Sequence, residues 1–144
     1  MKKIPGHIII GFIISSFLYA CAARKLPPAP AGLFQLEGNW QLVLTNNDDS
    51  ALAGSIISID PATADAIITV LKKNAYCVRP TDAAWKNITT TDIRNQFNTT
   101  SLGNSCTSGL EYKPATLILV NDELKLTGTT SQGKVLLQTW KKIK

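Results

Sequence analysis

From Phe34 onward the apolar residues recur every second position. Leu36, Gly38, Trp40, Leu42 and Leu44 fall on one face, with Glu37, Asn39, Gln41 and Thr45 opposite, the alternation of a half-buried strand. A turn cluster, Asn46-Asn47-Asp48-Asp49-Ser50, follows. Ile56, Ile57 and Ile59 predict a second strand ended by Asp60-Pro61, and the β-branched run from Ala66 to Leu71 a third. Tyr76-Cys77-Val78 reads as a short fourth. Near the C-terminus Ala115 to Val120 predicts a strand, Asn121-Asp122 a two-residue hairpin turn, and Glu123 to Thr127 the return, with Leu124 and Leu126 on one face. Gly128 to Gly133 reads as another turn and Lys134 to Ile143 as a last long strand. No window keeps a helical apolar stripe for three turns, and fifteen threonines suit strands. The pattern is that of one small all-β domain. Only Pro80 to Lys113 resists the reading. Its anchors Trp85, Ile88, Ile93 and Phe97 stand in a Thr/Asn-rich setting compatible with irregular strands, a helical turn near Asp92 to Phe97, or a long loop.

The first 32 residues have a different character. Lys2 and Lys3 precede a nearly unbroken apolar run, Ile8 to Ala20. As a helix it spans about 20 Å, short of the roughly 30 Å hydrocarbon core, which favours a removable export signal over a membrane span. The run ends in Leu18-Tyr19-Ala20-Cys21, which resembles a bacterial lipobox and implies palmitate-type acylation of Cys21 followed by cleavage before it. Ala22 to Gly32 then contains Arg24-Lys25 and three prolines, Pro27, Pro28 and Pro30, a semi-rigid tether. The expected organisation is a lipoprotein signal peptide at 1–20, a lipidated N-terminus and tether at 21–32, and the all-β domain at 33–144. The expected location is the bacterial cell envelope, lipid-anchored at the outer membrane.

Composition narrows the chemistry. The chain has 144 residues, with 15 Lys plus Arg against 10 Asp plus Glu, and its one histidine lies in the export segment. The mature part therefore has no imidazole for acid–base catalysis or metal binding. Serine chemistry lacks both a histidine base and a nucleophile elbow. The aspartates fall mostly in turns and nominate no carboxylate pair, and Asp48-Asp49 supplies only part of a calcium loop. No enzyme, cofactor or metal is expected. The positive charges Lys72-Lys73, Arg79, Lys86, Arg94, Lys141-Lys142 and Lys144 are dispersed, unlike the concentrated stripe that nucleic acid requires. Cys77 and Cys106 are the two cysteines left beside Cys21. In an oxidising envelope a disulfide is the natural assignment, closing a loop of roughly 30 residues across the irregular middle.

Leu36-Glu37-Gly38-Asn39-Trp40-Gln41-Leu42 resembles the Gly-x-Trp start of lipocalin-like barrels, whose tryptophan packs across the closed end beneath a basic residue of the last strand. The last strand here ends Gln138-Thr139-Trp140-Lys141-Lys142-Ile143. The resemblance implies a barrel-closing motif of Gly38, Trp40, Trp140 and Lys141, with Lys142 as the other basic candidate. Thr139-Trp140-Lys141, Tyr112-Lys113-Pro114-Ala115-Thr116 and Leu126-Thr127-Gly128 are similar to segments of small lipocalin-like lipoproteins of the Bacteroidetes. The expected fold is a small antiparallel up-and-down β-barrel. Two functions suit it. A small, partly apolar ligand would sit in the barrel mouth against Leu42, Leu44, Ile57, Val70, Leu124, Leu126 and Trp85. Alternatively, a barrel filled by its own side chains would dock or inhibit an envelope protein.

Overall fold

In the structure, a computed structural model, residues 31–46, 52–72, 78–103 and 109–144 are described. A 3-10 turn, Ala31–Leu36, leads into eight strands: β1 Gly38–Thr45, β2 Ile56–Asp60, β3 Asp65–Val70, β4 Ala83–Thr90, β5 Gln96–Gly103, β6 Glu111–Val120, β7 Glu123–Thr129 and β8 Val135–Ile143. Each pairs antiparallel with its sequence neighbours, and β1 also pairs with β8, so the sheet closes into an up-and-down barrel with no free edge. The expected fold class, all-β and barrel-forming, is the observed one.

Strand alternation builds the core. Trp40 and Leu42, Ile57 and Ile59, Ala66 and Ile68, Trp85, Phe97, Leu117, Leu124 and Leu126, and Leu136 and Trp140 all point inward and are buried. The Asn121-Asp122 turn joins the paired Val120 and Glu123, with Asn121 at φ 55°, which Asn tolerates better than most residues. The last turn is shorter than the sequence pattern implied, because β7 runs on to Thr129.

The segment that resisted reading is two more strands. β4 and β5 pair from Trp85↔Ser101 to Thr90↔Phe97, interrupted by a register shift between Lys86 and Thr89. There Asn87 takes a left-handed conformation and its backbone N–H donates to Asp65 Oδ1. This irregularity puts Trp85 and Ile88, three residues apart, both in the core. In β5 the inward positions after Phe97 are Thr99 and Ser101, so neither strand shows an apolar alternation. Val78, expected in a short strand, is buried but outside any strand, and its neighbours 73–77 lie outside the described residues.

The strand directions sort the connections. Those at 61–64, 91–95 and 121–122 are short and share one end of the barrel with the Ala31–Leu36 turn. Those at 46–55, 71–82, 104–110 and 130–134 share the other.

Candidate functional site

The short-loop end is plugged. Leu33 and Leu36 are buried beneath the entering chain, and the Trp40 Nε1 donates to the Leu36 carbonyl at 2.8 Å. Gly38 adopts φ +118°, and a Cβ there would meet Lys142 Cε at 3.3 Å. The missing side chain is therefore what lets Lys142 cross the strand start and place its ammonium 5.3 Å from the Trp40 ring centroid, a cation–π contact. Between the two basic candidates, register decides. Lys142 pairs with Trp40, whereas Lys141 pairs with Gln41 and Glu123 and is exposed on the outer face. Gly38, Trp40 and Lys142 thus meet in one contact, and Trp140 lies deeper in the barrel.

Trp140 packs edge-on against Trp85, with ring centroids 5.2 Å apart and planes at 83°, and its Nε1 donates to Gln138 Oε1 at 3.1 Å. Trp85, expected at the mouth, is instead a fully buried core residue. Leu42, Ile57, Leu124 and Leu126 also converge in the interior and are fully buried there. Leu44 and Val70, expected on the same wall, are on the outer face at 67% and 40% exposure. Each departure has one cause. A bulge at Val43 sets Leu42 opposite Trp140 but Leu44 opposite Thr139, and a bulge at Thr69 sets Ile68 opposite Ile57 but Val70 opposite Ile56. One extra residue reverses the side that every later residue faces.

Toward the long-loop end small or polar residues, Ala84, Thr99, Ser101, Ala115 and Gln138, join Ile57, Ile68 and Leu136 in the buried interior. Thr99 Oγ1 donates to the Lys86 carbonyl. Ser55 is wholly buried, and its Oγ has no hydrogen-bond partner among the described residues.

On the outer surface a groove of about 390 Å³ runs over β1, β7 and β8, its side chains including Leu44, Asn46, Lys125, Thr127, Leu137 and Thr139. Asn46 closes one end of it. Its Oδ1 accepts from the Leu137 N–H at 2.7 Å and its Nδ2 donates to the Val135 carbonyl at 3.1 Å, clamping the end of β1 to β8. Sequence reasoning missed this groove, because the alternation had assigned Leu44 to the interior.

The export segment, Cys21, most of the tether, Cys77 and Cys106 lie outside the described residues. No protein-family model matches the chain, and no curated protein matches it in sequence.

Proposed function

We propose that this is a lipocalin-like lipoprotein, anchored in the bacterial envelope through acylated Cys21, whose barrel is a filled scaffold that docks an envelope protein partner. The observation that carries the reading is the interior. Trp40, Trp85, Trp140 and Phe97 are fully buried in one cluster with Leu42, Ile57, Leu124 and Leu126, four of the six aliphatic residues expected to form a ligand wall, so these side chains fill the interior themselves. Recognition then falls to the connections at the long-loop end, three of which are seven residues or longer, the usual place for binding residues on a rigid scaffold. Cys77 and Cys106 belong to two of these connections, 71–82 and 104–110. A disulfide between them would tie together the surface that makes contact.

A second reading, a small ligand held inside the long-loop half, is favoured by the small and polar residues in its lining and by the Ser55 hydroxyl, which has no partner among the described residues. A buried hydroxyl without a partner costs roughly 1–3 kcal/mol, which a ligand or a water would recover.

Native mass spectrometry of the protein extracted from its own envelope separates the two. The filled-scaffold reading expects the mass of the acylated chain alone, or of a complex with a second polypeptide. A discrete small-molecule adduct lost on denaturation would overturn it in favour of the second.

A further inference from the structure

We propose that the outer face of β1, β7 and β8 is the side on which the barrel rests against an anionic lipid surface. The proposal deepens the envelope reading above by assigning the face that meets the bilayer.

Two properties coincide on this face. The bulge at Val43 leaves both Val43 and Leu44 exposed, and the outward positions of the neighbouring β8 add Val135 and Leu137, each about half to two-thirds exposed. An apolar cluster on adjacent strands is what marks an interaction surface, whereas single exposed aliphatics do not. On β2 and β3 the only strongly exposed large apolar residue among the described residues is Val70.

Charge selects the occupant. Lys125, Lys134 and Lys141 border the cluster, exposed and without an ion pair among the described residues. Among the described residues the acids on or next to these three strands are Glu37, Asp122 and Glu123. From β2 to the β4–β5 turn the described residues set Asp60, Asp65, Asp82 and Asp92 against Lys72, Arg79, Lys86 and Arg94. A second copy seated on the cluster would set lysine against lysine. An anionic leaflet satisfies both features, with the aliphatics at the acyl boundary and the lysines among headgroups. The groove between Leu44, Leu137 and Lys125 gives an acyl chain or glycerol backbone a place to lie beside a cation. Roughly ten residues separate Cys21 from the Ala31–Leu36 turn. Extended, they reach about 30 Å, enough for an anchored barrel to lie on its side.

The test uses the full-length chain reconstituted in vesicles of phosphatidylethanolamine and phosphatidylglycerol, with a benzophenone amino acid at Leu137 or at Val70. Both are outward strand positions of similar exposure, 47% and 40%, three strands apart around the barrel. Lipid adducts are expected several-fold more often at Leu137. Lys125→Gln and Lys141→Gln should each lower that ratio by up to about fivefold, and phosphatidylcholine vesicles should lower it likewise. Equal labelling at the two positions, indifference to the lysines, or adducts to protein instead of lipid at Leu137 would overturn the proposal. Near-UV dichroism of the buried tryptophans checks that each variant folds, and Leu44 replaces Leu137 if it does not. The intact mass of the same samples keeps the two readings apart. An unacylated chain that labels asymmetrically refutes the anchor and leaves the face, whereas an acylated chain that labels equally does the reverse.

Discussion

At the scale of single residues, the closed end depends on an absence. Gly38 is needed twice over: for its positive φ and because Lys142 passes where a Cβ would stand. Gly38→Ala should therefore cost about 1–3 kcal/mol, the range for a side chain forced into a sparsely populated backbone region. In a domain of this size that is several degrees of melting temperature, read by thermal unfolding. Lys142→Ala should cost less, because an exposed cation–π contact contributes about 0.5–1 kcal/mol. Trp85 tests the division between packing and recognition. Its ring is buried against Trp140, so Trp85→Ala should cost about 3–5 kcal/mol in urea unfolding. A contact residue at a mouth would leave stability nearly unchanged.

At the scale of elements, two bulges determine which side chains meet inside. Leu42 and Leu44 stand two apart on β1 yet face opposite ways, as do Ile68 and Val70 on β3. Leu44→Ser and Val70→Ser should change stability by no more than about 0.5 kcal/mol, as surface substitutions do. Leu42→Ala and Ile57→Ala should each cost about 2–5 kcal/mol. Denaturant midpoints of the four variants compared side by side check the assignment. The same irregularity explains what was and was not legible. β1, β7 and β8 carry apolar alternation and β2 and β3 β-branched runs, and the expected bounds lie within about two residues of the observed ones, whereas β6 begins at Glu111, four residues before the expected Ala115. β4 and β5 were not legible, because Asn87 interrupts one and Thr99 and Ser101 are inward residues of the other.

At the scale of the whole molecule, closure places every long connection at one end and the plug at the other. Cys77 and Cys106 belong to connections at the same end, so a disulfide between them would link two loops of one surface. Reduction of the folded protein should then lower stability by about 3–4 kcal/mol, the chain-entropy value for a loop of roughly 30 residues. The two sulfurs should be found linked by mass mapping of the unreduced chain. If reduction leaves the unfolding curve unmoved and mapping finds free thiols, the pairing is wrong. The candidate site was less legible than the fold. Leu42, Ile57, Leu124, Leu126 and Trp85 do come together, but as packed core, and the outer groove had no counterpart in the sequence pattern.

The sequence by itself determined the strand-forming character of the chain, the position of most strands, the turn at Asn121-Asp122 and the pairing of a glycine with a tryptophan at the start of the first strand. These are local properties, written in the period of the apolar positions and in the backbone freedom of a few residues. Only the tertiary structure decided that the sheet closes, that Lys142 and not Lys141 lies over Trp40, that Trp85 packs against Trp140, and that Leu44 and Val70 face out. Those outcomes depend on register between strands distant in sequence, and a single extra residue in one strand reverses the side that all later residues face.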